Sequence, residues 1–242
     1  MIYVMSNIHG NSKAFHSVLE QIKLTENDSL YILGDVIDQH PYGIELLQEI
    51  MKMPNAKMLL GNHEYMMLEA ADFDKSSDLI RVFEAQDRWY DNYGLETYET
   101  LAKLLKSEQK EIFNYLHSLP LNIDIEVNGI KYRLVHGSPV ENFKEYGSKY
   151  ESETKFAVWC RWKEGNAIPD GYTLIFGHTT TNKFQRSNPL CIWYGENAIG
   201  IDCGSGFPVP PPFYMEKGRL ACLRLDDMKE FYSESWQFDL YT

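Results

Sequence analysis

Five short polar clusters in this chain carry residue types that can bind a metal ion or move a proton. They are "SNIHG" at 6–10, "GDVID" at 34–38, "GNHE" at 61–64, "VHGSP" at 135–139 and "FGHTT" at 176–180. Each follows a run of apolar or β-branched residues that reads as a strand. In open α/β sheets ligands gather beyond the carboxyl ends of strands, so residues far apart in sequence can meet there. A carboxylate (Asp35), a carboxamide (Asn62) and the histidines His9, His136 and His178 at such positions point to a metal centre. Mixed nitrogen and oxygen ligands suit Mn, Fe or Zn, whereas dedicated Mg and Ca sites prefer oxygen shells. The two oxygens of a carboxylate can bridge two cations roughly 3.5 to 4 Å apart, and a water shared between them loses a proton near neutral pH.

The elements that must position these clusters can be read from hydrophobic periodicity. "IYVM" is a short apolar strand, and "NSKAFHSVLEQI" after it places Ala14, Phe15, Val18, Leu19 and Ile22 on one helical face, with Asn11 or Ser12 as its cap. "SLYILGD", "YGIELLQEIMKM" and "AKMLLGN" continue as strand, helix and strand, a βαβ pattern. From about 64 to 117 the chain is rich in Leu, Glu, Lys and aromatics and reads as a helical insertion broken at Gly94. "NIDIEVNGIKYRLVHG" then predicts a hairpin about its Asn-Gly. "TLIFGH", "CIWYG", "AIGIDCG", "RLACLRL" and "KEFYSESWQF" predict further strands, and the Pro-rich "FPVPPPF" at 207–213 a rigid loop. The expected fold is α/β, two facing mixed sheets flanked by helices, in one domain over 1–242.

In order, N/D-x-H-G, G-D-x-x-D, G-N-H-E, H-G and G-H-T resemble the motifs of the calcineurin-like metallophosphoesterases, in particular the bacterial branch of the serine/threonine protein phosphatases. The resemblance covers roughly 1–65 and 130–206. It implies a metallophosphoesterase-type sandwich holding two divalent ions, most simply Mn. Asn7 and His9 would hold the first ion, Asp35 would bridge both, and Asn62, His136 and His178 would hold the second. His63 matches the family's general acid, Asp38 the carboxylate that orients it, and Arg161 in "VWCRW" the arginine that grips phosphate. A histidine whose pKa is raised by a carboxylate can protonate a leaving oxygen, and a guanidinium can clamp phosphoryl oxygens. The implied activity is phosphomonoester hydrolysis, most like that of a serine/threonine protein phosphatase. The same scaffold also supports nucleotide or dinucleoside polyphosphate hydrolysis, with Trp89, Tyr90 and Tyr93 as candidate base-stacking residues, or a non-catalytic binding role.

Composition narrows the partners. A net charge of -12 and a pI near 5.0 argue against nucleic acid bound on a broad basic face, while a phosphorylated protein or small phosphoester remains compatible with a local metal site. The four cysteines form no C-x-x-C pair and read as reduced thiols. "MIYVM" is too short for a signal peptide and no apolar run approaches the ~18 residues of a membrane span, so a cytoplasmic location without membrane partners is expected.

Several positions depart from the family pattern. Asn7 replaces its first Asp, which removes a charge and predicts a weaker first metal site. Gln39 and His40 stand where "GDxxDRG" has Arg-Gly, and Leu60 where "RGNHE" has Arg. With two arginines absent, the phosphate grip is expected to involve Arg161, His40, or Arg81 or Arg88 of the insertion. Arg161→Ala is expected to weaken inorganic phosphate binding about tenfold or more, the loss of a charge-assisted hydrogen-bonding group. An unchanged phosphate affinity by titration calorimetry would remove Arg161 from the grip.

Overall fold

The computed structural model describes residues 1–71, 79–207 and 218–234. Its elements run β1 (Ile2–Met5), α1 (Ser12–Ile22), β2 (Ser29–Ile32), α2 (Gly43–Met51) and β3 (Ala56–Met58), the expected βαβ alternation. The insertion follows as α3 (Asn62–Ala71), α4 (Leu79–Asp91), α5 (Leu95–Lys103) and α6 (Lys106–Ser118). Then come β4 (Asn122–Val127), β5 (Ile130–Val135), α7 (Phe143–Tyr146), α8 (Glu153–Trp159) and β6 (Tyr172–Phe176). The described chain ends with β7 (Trp193–Gly195), β8 (Ala198–Gly200), β9 (Ala221–Arg224) and β10 (Lys229–Tyr232). Almost all of the Pro-rich run and residues 235–238 of the last expected strand lie outside the described residues.

The strands form two five-stranded mixed sheets, ordered β10-β9-β1-β2-β3 and β4-β5-β6-β8-β7. In the first, β1, β2 and β3 are parallel; in the second, β5, β6 and β8 are. The carboxyl ends of both parallel runs lie together, which brings the five clusters into one region. Period-two alternation sorts the side chains. Val4, Tyr31 and Leu33 face the other sheet and pack with Tyr132, Leu134, Ile175 and Ile199. Tyr3, Met5, Leu30 and Ile32 face the helices and meet Phe15 and Val18 of α1, Leu47 and Ile50 of α2, and Met66, Trp89 and Ile112 of the insertion.

Local chemistry explains the boundaries. Asn11 caps α1, its side chain accepting from Ala14 N at 3.1 Å. In the β4–β5 hairpin Val127 pairs with Ile130 across Asn128-Gly129, whose φ values of 52° and 80° are those of a primed turn. Gly94 closes on the Trp89 ring at the start of α5, so the break read from the sequence is a close-packing position. The short helices α7 and α8 carry no long amphipathic repeat and were not expected. Cys203 and Cys222 are buried and Cys160 and Cys191 half-buried, all four as free thiols. No described helix is long and apolar enough to cross a membrane.

Candidate metal centre

Five loops, each directly after a parallel strand, build the site. Asn7 and His9 follow β1, Asp35 follows β2, Asn62 opens α3 after β3, His136 follows β5 and His178 follows β6. All six are buried. The loops are sharply bent: Asn7, His9, Asp35, Asp38, Gln39 and His178 have φ between 54° and 70°. A non-glycine residue in this left-handed region costs about 1 kcal/mol or more, so surrounding structure must hold it there. Glu64 is one such support. Its buried carboxylate accepts from Asp35 N (2.9 Å), Val36 N (2.8 Å), Ile37 N (3.3 Å) and Gly61 N (3.1 Å), tying the "GDVID" loop to the start of α3. Gly34, at φ 83°, is a second, because a Cβ there would meet the Gly61 backbone and the His136 ring.

Backbone carbonyls fix the histidine tautomers. His136 Nδ1 lies 2.6 Å from Leu33 O, His9 Nδ1 3.2 Å from Ile37 O, and His178 Nε2 3.2 Å from Trp159 O. A carbonyl can only accept, so these nitrogens carry the protons and the opposite ring nitrogens present lone pairs. Burial keeps all three rings neutral: it pushes His9, with His63 beside it, down to about 3, and lowers His136 and His178 as well. Against the penalty of its own burial, Asp35 is held below the usual carboxylate range by the surrounding histidines, His136 and His63 foremost.

Around His136 acceptors therefore face acceptors. Its bare Nε2 lies 3.0 Å from Asn62 Oδ1 and 3.4 Å from Asp35 Oδ2, and ligand atoms of Asp35, His136 and His178 lie within 4.8 Å of one another. Buried lone pairs converging without a proton between them fit a divalent cation. A second group, His9, Asp35 and His63, meets the same distance limit. There Asn7 turns its amide nitrogen inward, 2.9 Å from Asp35 Oδ2 and 3.3 Å from His9 Nε2.

His63 stands beside this cluster, its ring 4.7 Å from that of His9. Its Nδ1 is 2.7 Å from Asp38 Oδ2, which also accepts from the indole N–H of Trp89 at 2.8 Å. Burial disfavours the imidazolium, but Asp35 and the hydrogen bond to Asp38 outweigh it and push the pKa up to about 9. Trp89 is fully buried in this supporting role, so it offers no face to a base; Tyr90 and Tyr98 pack against it, and Tyr93 is exposed.

A cavity of about 830 Å³ opens over the cluster. Asn7, His9, Asp35, Asn62, His63 and His178 form its floor, and Arg161, Lys163 and Lys183 are the cations of its wall. Trp159, Phe184 and Phe207 supply aromatic surface, whereas Trp162 is buried against Phe176 and Trp193. Arg161 donates from Nη1 to His178 O, which anchors it over the ion-binding end with its other N–H groups available. Gln39 lines the cavity, whereas Leu60 is buried outside it. His40 does not reach the wall among the described residues; its Nε2 lies 3.2 Å from Ser205 O. Arg88 pairs with Glu69 at 2.8 Å, also off the wall, and the Arg81 side chain lies outside the described residues.

Sequence reasoning did not single out Lys163, Lys183, Glu64, Asp202 or the support given by Trp89. Lys163 follows Arg161 by two positions in "CRWK", a basic pair that was a usable signal. Asp202 lines the cavity just after β8, and burial pushes its pKa up to about 7.

A family profile described as calcineurin-like phosphoesterase matches residues 1–203, which include all five clusters. The chain is similar to a symmetrical bis(5'-nucleosyl)-tetraphosphatase of Wigglesworthia glossinidia brevipalpis, 37% identical over 96% of this chain and 98% of that protein. It is also similar to the protein of the same name from Proteus mirabilis, 29% identical over 96% of this chain and 97% of that one. Two other curated relatives are matched over part of their length only; the chain spans 50% of one and 33% of the other. Its fold is similar to that of a metallophosphoesterase from Sphaerobacter thermophilus, with a TM-score of 0.55 and 17% identity, over 96% of this chain and 87% of that one.

The raised His63 pKa depends on Asp38. In metal-free protein His63 is expected to titrate near 9 by NMR, and Asp38→Asn to bring it back toward the ordinary histidine value. A titration left unmoved by the substitution would show that Asp38 does not set the protonation of His63.

Proposed function

The chain belongs to the calcineurin-like phosphoesterase family, and from that premise we propose that it hydrolyses a dinucleoside polyphosphate with the help of a bound divalent ion. The cavity carries this reading. Its lining includes three cations, Arg161, Lys163 and Lys183, beside the acids Glu164 and Asp202, and the aromatic side chains of Trp159, Phe184 and Phe207. A phosphoserine side chain offers one phosphoryl group and no ring, whereas a polyphosphate between two nucleosides offers a row of charges and flat bases. Two relatives matched over nearly their whole length are named for such a substrate, which supports the same choice. The serine/threonine phosphatase reading finds less support, because the aromatic and cationic wall has no part in it.

In this mechanism Asp35, Asn62, His136 and His178 would hold the ion, for which Mn, Fe or Zn suits the mixed donors. A bound ion would supply Lewis-acid polarisation of a phosphoryl oxygen and would ease loss of a proton from the attacking water to solvent. Arg161 grips the phosphoryl oxygens of the group being attacked, and Lys163 and Lys183 neutralise the rest of the chain. When water oxygen bonds to phosphorus and the anhydride P–O bond breaks, His63 Nε2 gives its proton to the leaving phosphate oxygen. Asp38 and Trp89 hold the imidazolium in place, Trp89 through the indole bond that orients Asp38. The hydrogen bond to Asp38 favours the protonated form of His63, the state that this step requires.

The test compares kcat/KM for diadenosine tetraphosphate, a phosphothreonine peptide and p-nitrophenyl phosphate in the Mn-loaded protein. Diadenosine tetraphosphate is expected to be the preferred substrate. Lys163→Ala with Lys183→Ala is expected to raise its KM about tenfold or more, and to leave p-nitrophenyl phosphate hydrolysis nearly unchanged. Faster turnover of the phosphopeptide would return the reading to a protein phosphatase, and no hydrolysis of any of the three would favour a binding role.

A further inference from the structure

We infer that the side-chain amide of Asn7 occupies the first ion position itself, so that this chain binds a single divalent ion where the family pattern leads one to expect a pair. The inference rests on the assignment of Asp35, Asn62, His136 and His178 as an ion site and is independent of the substrate.

The amide can point only one way. Asn7 Oδ1 accepts from Ser6 Oγ at 2.7 Å and from the backbone N–H of His178 at 2.9 Å. Rotating the amide by half a turn would set its NH2 against the His178 N–H, two donors face to face, and its oxygen against the Asp35 carboxylate, two acceptors face to face. The contact is also closely built, since a Cβ on Gly177 would run into both Ser6 Oγ and Asn7 Oδ1. An Asp at this position could accept from His178 N with one oxygen and still offer the other to an ion. Asn cannot do both, because its second terminal atom is a donor.

That donor satisfies what an ion would otherwise satisfy. Asn7 Nδ2 lies 2.9 Å from Asp35 Oδ2 and 3.3 Å from His9 Nε2, and the latter is a bare lone pair because Nδ1 faces Ile37 O. The two hydrogens of the amide thus reach the two acceptors, His9 and Asp35, left at this end. Around His136 the bare Nε2 faces Asn62 Oδ1 and Asp35 Oδ2, and among the described residues no donor is recorded for that lone pair. Charge points the same way, because exchanging Asp for Asn removes one of the negative charges that would draw a second cation to this end. Asn7 thus replaces a ligand rather than weakening one, and His9 becomes a hydrogen-bond acceptor. Among the described residues the further candidate ligand at this end is His63, within reach of His9 and Asp35, with Nε2 open because Nδ1 faces Asp38. Should it complete an ion site, the chain would bind two ions.

Metal counting on the full chain decides this. Protein stripped of metal, dialysed against excess Mn²⁺ and analysed by mass spectrometry is expected to hold one ion per chain, with the electron paramagnetic resonance spectrum of an isolated Mn²⁺. Asn7→Asp is expected to hold two ions with an exchange-coupled spectrum. His9→Ala should keep the count of the unsubstituted protein, yet remove the second ion when combined with Asn7→Asp, and His136→Ala should lower affinity for the single ion about 10- to 100-fold or more. Two ions in the unsubstituted protein, or loss of its ion in His9→Ala, would overturn the inference even if Asn7→Asp fails to fold. A folded Asn7→Asp variant that still holds one ion would overturn it as well. An unsubstituted protein that binds no ion would overturn the ion-site assignment on which it rests.

Discussion

A carboxylate buried away from water keeps its charge only if donors or cations surround it, and this site is arranged about one such charge, on Asp35. Asp35 Oδ1 accepts the backbone N–H of His63, and Oδ2 accepts the amide of Asn7 while facing His136 and His9. Its own backbone N–H is held by Glu64. Every other cluster is placed by its relation to this group, and the bent loops after the parallel strands are what bring them to it. The strain of those loops is sustained by buried acceptors such as Glu64 and by close approaches that only glycine allows, at Gly34 and Gly177.

The same constraint divides the site into two unlike halves. On the side of His136 and Asn62 the neighbours of Asp35 are further acceptors, and a cation would resolve the conflict. On the side of His9 the neighbour is an N–H donor, and the conflict is already resolved by the chain itself. His63 stands at this second end, its Nδ1 bonded to Asp38, which Trp89 holds in turn. Beyond both halves lies a wall of cations and aromatic rings in an otherwise acidic molecule, and that wall bears on which phosphate compound the site would take.

Much of this was legible in the sequence. Strand ends carrying Asp35, Asn62, His136 and His178 converge because parallel strands share a direction, and period-two and helical repeats announce those strands and helices. The pairing of His63 with Asp38 followed from the motif resemblance. What escaped has physical reasons. The orientation of the Asn7 amide is set by the His178 backbone and the Ser6 hydroxyl, one of them a contact between residues 171 positions apart. The aromatic character of Trp89 is visible in the sequence and suits either a core or a stacking role, and its burial against Asp38, which decides for the first, is not. Lys163 and Lys183 reach the cavity through loops after α8 and β6, and loop geometry leaves no period to read. His40 was expected at the phosphate grip from its place in the motif, but its ring turns toward Ser205.

The most direct test is anomalous diffraction from crystals of the unsubstituted protein grown with Mn²⁺, with data collected on both sides of the Mn absorption edge. The account predicts one Mn peak, ligated by Asp35, Asn62, His136 and His178, with the Asn7 side chain lying between Asp35 and His9. A second peak between His9 and Asp35, or no peak beside His136, would contradict it.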